Sequence, residues 1–128
     1  MLLKSIHHVA IICSDYEKSK RFYTEVLGLE AIGEHYREER QSYKLDLAIH
    51  EHYQIELFSF PDPPERKSYP EAAGLRHIAF SVGSIEKAVN DLHKKGVQTE
   101  PIRIDPFTQK AYTFLTDPDG LPIELYEE

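Results

Sequence analysis

The chain has 128 residues, of which 41% are hydrophobic and 29% charged, and its 15 basic and 22 acidic side chains give a formal net charge of −7. This length fits a single domain spanning residues 1–128, and the composition excludes a mainly disordered chain. The acidic balance argues against binding to nucleic acid or to anionic membrane surfaces.

The single cysteine, Cys13, lies within a short apolar run and cannot form an intrachain disulfide. This pattern is typical of proteins in a reducing compartment. No apolar stretch approaches the about 18 residues that predict a membrane-spanning helix. We therefore expect a cytoplasmic protein with no membrane partner.

The first half of the chain predicts one strand, one helix and three further strands. An apolar, β-branched run over residues 6–13 predicts the first strand, and the spacing of Ser14 and Glu17 predicts a capping box at the start of the helix. Gly28 predicts the end of that helix. The three β-prone stretches that follow are 30–38, 43–50 and 53–60.

The second half predicts the same order of elements. A strand over residues 75–82 precedes a helix that begins after Ser84 and ends at Gly96. The sequence Asp-Pro-Asp-Gly at 117–120 predicts a tight turn between the last two strands. The three later strands are predicted at 97–104, 111–116 and 121–127.

An internal repeat relates the two halves. Residues 8–19 match residues 77–88 at an offset of 69, and later segments match at an offset of 68. We therefore predict an α+β fold of two tandem βαβββ modules, whose curved mixed sheets surround a metal site. The predicted boundaries are 1–60 for the first module, 61–74 for a linker and 75–128 for the second module. The linker holds four of the eight prolines, and we expect it to be a connection and a partial lid.

Two histidines and two glutamates occupy equivalent positions in the repeat; they are His8, Glu56, His77 and Glu124. Each of them alone would be an ordinary strand residue. If the modules pair about a pseudo-twofold axis, however, the four side chains converge. Neutral imidazoles and ionised carboxylates suit a first-row divalent cation, whose charge offsets the cost of burying the glutamates.

Strand alternation separates His8 from its neighbour. His8 shares one face of the predicted strand with Ala10 and Ile12, whereas His7 is expected on the opposite face with Cys13. The same alternation predicts side chains that line the substrate site; they are Lys44, Phe58, Tyr112 and Phe114. Lys44 could meet an anion on the substrate or could be a solvated surface lysine.

Two other polar runs predict surface structure. Residues 50–52, His-Glu-His, lie between two predicted strands and lack the spacing of a zinc-binding helix, so we expect an exposed turn. Residues 37–40, Arg-Glu-Glu-Arg, carry charges of both signs, which is typical of a solvated strand end.

Three segments carry a resemblance to a known family: HHVAI at 7–11, LRHIAF at 75–80 and DPDGLPIELYE at 117–127. Together with the duplicated modules, they resemble the vicinal oxygen chelate superfamily, which includes glyoxalase I, epimerases, resistance proteins and ring-cleaving dioxygenases. Small glyoxalase-I-like bacterial proteins are the most similar group. Glutathione-dependent members have an Arg and an Asn where this chain has Ile12 and Phe60, so the resemblance does not identify the thiol.

The resemblance implies a metal-dependent lyase or isomerase that moves a proton through a cation-stabilised enediolate. It implies one divalent transition metal ion, Ni, Zn, Co, Mn or Fe, with His8, Glu56, His77 and Glu124 as ligands. Glu124 is the preferred catalytic base and Glu56 the second candidate. The expected substrate is a small α-oxo or α-hydroxy carbonyl compound or its thiol adduct, and a homodimer is expected. A non-catalytic binding or resistance protein, an epimerase and a dioxygenase remain alternatives.

Overall fold

The apolar, β-branched runs form strands and the two capped segments form helices within residues 1–128, which the computed structural model describes. They form two compact units, Met1–Glu65 and Arg66–Glu128. Each unit has the order βαβββ and contains one four-stranded mixed sheet, which confirms the predicted α+β class and the two modules. No helix in the structure has both the length and the apolar character needed to cross a membrane.

In the first unit, the first and last strands of the module lie side by side. The strands are β1 (Val9–Cys13), β2 (Glu30–Arg37), β3 (Ser42–Ile49) and β4 (His52–Ser59). Their order in the sheet is β1-β4-β3-β2, with β1 parallel to β4 and the other neighbours antiparallel. The helix α1 (Tyr16–Arg21) continues into a π-helical turn at Phe22–Val26.

The second unit repeats this topology. Its elements are β5 (Ile78–Val82), α2 (Ile85–Lys94), β6 (Arg103–Ile104), β7 (Ala111–Thr116) and β8 (Pro122–Glu127). The sheet order is β5-β8-β7-β6, with β5 parallel to β8. Glu56 and Glu124 therefore lie on matching strands, each directly opposite an alanine of the first strand of its module.

Several element boundaries differ from the prediction. The first strand of each module begins at Val9 or Ile78, three residues later than expected, because the preceding residues pair with no other strand. The predicted strand over 97–104 is reduced to its last two residues. Pro101 has no backbone N–H with which to continue a ladder, and Glu100 ties the segment to β7: its N–H donates to the carbonyl of Phe114 and its carbonyl accepts from the hydroxyl of Thr113.

The helix starts show one correction and one confirmation. Asp15, and not Ser14, caps α1, because its carboxylate accepts the N–H of Lys18 at 3.2 Å. Ser84 caps α2 as predicted by accepting the N–H of Lys87. A short acidic or hydroxyl side chain in extended backbone satisfies an N–H that has no partner within the helix.

The predicted turns are confirmed. His50 and Glu51 both lie in the left-handed region, with φ of 48° and 69°, and are exposed. At 117–120, the carboxylate of Asp117 accepts the N–H groups of Asp119 and Leu121 at 2.9 Å each. Gly120, at a φ of 83°, supplies the conformation that closes this turn.

The segment 61–74 contains no strand or helix. Its second part is tied to the second unit. The guanidinium of Arg66 donates to the carbonyls of Leu75 and Arg76 at 2.6 and 2.9 Å, and the hydroxyl of Ser68 donates to the carbonyl of Gly120 at 2.7 Å. The second part of the segment 61–74 is therefore anchored to the second unit, beside the 117–120 turn.

Each sheet has one apolar face and one mixed face. Helix α1 contacts β4, and Phe22 and Tyr23 of the helical segment are buried. The buried residues on the apolar face of the first sheet are Ile11, Cys13, Leu45, Leu47, Ile55 and Leu57. The core position of Cys13 is as predicted. The opposite face carries the candidate site residues, because side chains alternate along each strand. On that face Ala10 and Ile12 are exposed, while Glu56 is buried with only 7% of its surface accessible.

Candidate functional site

In the first unit, His8 and Glu56 form a close pair. Ala10 pairs directly with Glu56, and His8 lies two residues before Ala10, just ahead of β1. The Nε2 atom of His8 lies 3.4 Å from Oε2 of Glu56. The structure thus brings together the two site residues predicted in this module.

Glu56 has two further polar neighbours. The hydroxyl of Tyr53 donates a hydrogen bond to its carboxylate, and the ammonium of Lys44 lies 3.6 Å from Oε2. Lys44 also donates to Asp46 at 2.7 Å, and this hydrogen bond, with the charges of Asp46 and Glu56, raises the pKa of Lys44. Burial and the hydrogen bond to Glu56 raise the pKa of Tyr53, so the phenol stays a donor. Glu56 is therefore held in one orientation.

Sequence reasoning missed Tyr53 and Asp46. Asp46 pairs with Glu56 across β3 and β4, so alternation from Lys44 could have found it. Tyr53 is three residues before Glu56, and strict alternation would place it on the opposite face. An irregularity in the register, where Leu47 pairs with Ile55 but Ala48 with Tyr53, turns this tyrosine toward Glu56. No sequence signal marked that bulge.

The position of His7 differs from the prediction. Its Nδ1 atom lies 2.9 Å from Nδ1 of His8, and its ring centroid lies 5.4 Å from that of Tyr53. Residues before Val9 are outside the strand, so the alternation that was expected to turn His7 away does not apply to them. His7 therefore lies beside the candidate site and supports the ring of His8.

In the second unit, His77 and Glu124 form the equivalent pair. Nε2 of His77 lies 3.7 Å from Oε1 of Glu124, and Ala79 pairs directly with Glu124. The ring of Phe114 packs edge-on against His77 with centroids 5.2 Å apart. The guanidinium of Arg76 donates to Nδ1 of His77 at 2.8 Å. On the neighbouring strand, this pair has Phe114 at the position where the first pair has Asp46.

The two pairs differ because the repeat changes residue type at the flanking positions. The register places Asp46 opposite Glu56 but Phe114 opposite Glu124, and Lys44 of β3 matches Tyr112 of β7. Three of the predicted substrate-site residues, Phe58, Tyr112 and Phe114, lie on the same sheet face as the glutamate of their unit. The fourth, Lys44, also lies on that face, and its ammonium donates a hydrogen bond to Asp46.

The donor set fits a divalent transition metal. Two atoms that bind one such ion at about 2.1 Å lie about 3.0–3.4 Å apart. The His–Glu separations of 3.4 and 3.7 Å are close to this range. Neither unit by itself gathers three or more His, Cys, Asp or Glu side chains suited to a metal ion. Each unit offers two ligands, one imidazole nitrogen and one carboxylate.

Comparison with known proteins adds an independent observation. The family model described as Glyoxalase/Bleomycin resistance protein/Dioxygenase superfamily matches residues 5–125. The protein YwkD of Bacillus subtilis (strain 168) is 70% identical over the whole of both chains. YaeR of Escherichia coli (strain K12) is 59% identical over 98% of each chain.

Two solved structures and one further sequence relative agree with this family match. The crystal structure of a glyoxalase family protein from Enterococcus faecalis has a TM-score of 0.90 at 50% identity, covering 99% of this chain and 100% of that one. A trypanothione-dependent glyoxalase I from Leishmania major has a TM-score of 0.73 at 28% identity, covering 98% of this chain and 88% of that one. The lactoylglutathione lyase of Schizosaccharomyces pombe is 28% identical over 96% of this chain and 47% of the lyase.

Proposed function

The chain belongs to the glyoxalase/bleomycin resistance protein/dioxygenase superfamily, and from this premise we propose that it is a metal-dependent lyase or isomerase of the glyoxalase I type. Its substrate would be a small α-oxo or α-hydroxy carbonyl compound or a thiol adduct of one. The observation that supports this proposal is the pair of His–Glu contacts at repeat-related positions, with nitrogen–oxygen distances of 3.4 and 3.7 Å.

We assign one divalent transition metal ion, Ni, Zn, Co, Mn or Fe, to the four repeat-related ligands His8, Glu56, His77 and Glu124. When bound, such a cation acts as a Lewis acid that stabilises negative charge developing on the oxygens of the substrate. The two carboxylates would neutralise its charge, and the two imidazoles would bind it through Nε2. That this ligand set serves a single ion is inferred from the repeat and the family resemblance.

The different surroundings of the two glutamates support different roles. Glu56 is restrained by the Tyr53 hydroxyl and by Lys44, whereas the contact of Glu124 is with His77 at 3.7 Å. A general base must move between the carbon that loses a proton and the carbon that receives it. We therefore propose Glu124 as the base and Glu56 as the fixed carboxylate.

The aromatic side chains on the two faces would hold the organic part of the substrate. Phe58 stacks on Phe60 with centroids 6.0 Å apart, and Tyr112 packs edge-on against Phe114 at 6.2 Å. Lys44 has N–H groups beyond the one given to Asp46, and we propose it as a polar substrate contact beside Glu56. The lyase activity named for the Schizosaccharomyces pombe relative supports the same class of chemistry.

Metal content and activity test this proposal together. Protein purified without a metal-affinity tag is expected to hold a near-stoichiometric transition metal by elemental analysis. His77→Ala or Glu124→Gln should lower metal affinity by about 100-fold or more, because each removes a ligand. His52→Ala, at the exposed first residue of β4, is the matched control and should leave metal content unchanged.

A panel of hemithioacetals, made from methylglyoxal and several low-molecular-weight thiols, then tests turnover with each metal. Isomerisation that depends on the added metal is the expected result. Equal metal retention in all three variants would contradict the ligand assignment. Absence of near-stoichiometric metal from the natural protein would instead favour a non-catalytic small-molecule binding protein.

A further inference from the structure

Two arginines and two phenylalanines form a cluster at one end of the face that carries Glu56. The guanidinium carbon of Arg37 lies 4.8 Å from the ring centroid of Phe58 and 5.7 Å from that of Phe60, and that of Arg40 lies 5.0 Å from Phe60. We call these four residues the arginine–phenylalanine cluster. Each guanidinium is held over an aromatic face, which orients its remaining N–H groups.

The two arginines of this cluster have no carboxylate partner. Lys20 is paired with Glu34 and Lys44 with Asp46, but neither Arg37 nor Arg40 takes part in an ion pair. Glu38 and Glu39 belong to the same turn, yet neither approaches a guanidinium. In a chain with a net charge of −7, two unpaired guanidinium groups side by side are a local exception.

Arg37 also has an unsatisfied donor. One of its terminal nitrogens donates to the hydroxyl of Ser42 at 3.1 Å, while its Nε is buried and has no hydrogen-bond partner. A buried N–H without a partner is costly, and Arg37 therefore has donor capacity that the protein itself does not use. The planar guanidinium fork matches the two oxygens of a carboxylate or a phosphate.

The cluster lies in line with the proposed metal ligand. Phe58 is two residues beyond Glu56 on β4, and Phe60, which follows the end of β4, stacks on Phe58 with centroids 6.0 Å apart. At about 3.3 Å per residue, Phe58 lies about 7 Å from Glu56 along the sheet, and Phe60 lies next to it. A small substrate whose reacting end is at Glu56 would place its other end at the cluster.

We propose that the arginine–phenylalanine cluster binds an anionic group, a carboxylate or a phosphate monoester, at the end of the substrate remote from the reacting carbons. This inference rests on the proposed function and gives the substrate class as an anionic carbonyl compound or an anionic thiol adduct. Arg37 is its main anchor, because its fork is partly buried and stacked, and Arg40 adds charge from the more exposed side.

Calorimetric titration with simple anions tests the proposal. The probes are inorganic phosphate and glutarate, with uncharged glutaramide as the neutral counterpart of glutarate. The natural protein should bind at least one of the two anions and should not bind glutaramide. Binding of phosphate alone identifies a phosphate site, binding of glutarate alone identifies a carboxylate site, and either result supports the proposal.

Variants locate the binding. Arg37→Met should weaken anion binding by about tenfold or more, since a charged hydrogen-bond pair is lost, and Arg40→Met should weaken it by a smaller factor. Arg21→Met, on the exposed last turn of α1, is the matched control. If Arg37→Met lowers the melting temperature, Arg37→Lys serves instead, because it keeps the charge and removes the fork.

Metal content is measured in the same samples, which separates this inference from the proposed function. Unchanged metal content with lost anion binding in the Arg37 variants supports the cluster as a separate part of the site. If Arg37→Met and Arg40→Met bind phosphate and glutarate as tightly as the natural protein does, the inference is overturned, whatever the metal content. Absence of metal from a natural protein that still binds the anions would overturn the metal assignment alone.

Discussion

The ring nitrogens of His8 and His77 have different partners. Nδ1 of His8 meets Nδ1 of His7, whereas Nδ1 of His77 accepts a hydrogen bond from Arg76. Arginine is only a donor, so a neutral His77 carries its proton on Nε2, the atom that faces Glu124. A metal needs the lone pair of that atom. If His77 is a metal ligand as proposed, Arg76 therefore competes with the metal for it.

Replacement of Arg76 by Met should raise metal affinity, by roughly tenfold, because it frees His77 to take the other tautomer. The measurement is a competition titration against a chromophoric chelator. Arg21→Met, which removes an exposed arginine from α1, serves as the control. A lower affinity in Arg76→Met would show that Arg76 orients His77 for the metal instead of competing with it.

His7 should have the opposite effect. Its Nδ1 can accept the N–H of His8, which leaves Nε2 of His8 free to bind a metal. We expect His7→Ala to lower metal affinity by about tenfold, as loss of a group that orients a ligand usually does. The same chelator titration, with His52→Ala beside it, tests this. Affinity equal to that of the natural protein would mean that another group sets the tautomer of His8.

At the scale of elements, three side chains connect α1 to β2. The ammonium of Lys20 donates to Glu34 at 2.7 Å, and the hydroxyl of Tyr16 donates to the same carboxylate. The hydrogen bond from Lys20, which has the larger effect, and the one from Tyr16 hold the pKa of Glu34 below its usual range. The stabilisation is therefore present above the ordinary pKa of a glutamate and is lost as the pH falls through the lowered value.

Glu34→Gln should lower the free energy of unfolding at neutral pH by about 0.5 kcal/mol, a small value because the ion pair is largely solvated. The difference from the natural protein should shrink at acidic pH, where Glu34 itself becomes protonated. Urea denaturation at several pH values measures this. Glu30→Gln, on the same strand and in no ion pair, should show no such dependence, and a constant difference for Glu34→Gln at all pH values would contradict the argument.

Most elements could be predicted from the sequence, because periodicity, turn residues and the repeat are local signals. The order of elements, the Ser84 cap and the two turns at 50–51 and 117–120 follow from such signals. The failures arise where tertiary contacts decide. The bulge that turns Tyr53 toward Glu56 and the unpaired backbone around His7 depend on what the neighbouring strand does, which no single segment encodes.

The candidate site was predictable only in part for the same reason. The repeat identified the four proposed ligands, and the structure brings them together pair by pair within each unit. The partners that distinguish the two pairs, Asp46 and Tyr53 in one and Arg76 in the other, were not predicted. They lie at positions where the repeat does not preserve residue type.

At the scale of the whole molecule, the distribution of exposed apolar residues supports a homodimer. Large apolar side chains are exposed near the start of the chain, and they are Met1, Leu2, Leu3, Ile6 and Ile12. Such a group of exposed apolar residues is more often covered by a partner than left in water.

Sedimentation at micromolar concentration should therefore give a species of twice the 14.8 kDa chain mass. Leu3→Glu should shift the equilibrium toward the monomer, because a charge within an apolar interface must be desolvated. Lys4→Gln, at the neighbouring exposed residue, should not. A monomer for the natural protein at every concentration would contradict the dimer.

The parallel pairing of the first and last strands in each unit also affects the order in which the chain folds. Val9 pairs with Ile55 and Ile78 with Ile123, so each contact closes a loop of about 45 residues, whereas the antiparallel pairs lie close in sequence. As the chain leaves the ribosome, β3 and β4 can form a hairpin at once, while β1 is made early and must wait for β4. During that interval an apolar five-residue strand is exposed, and it is then open to chaperones and to aggregation.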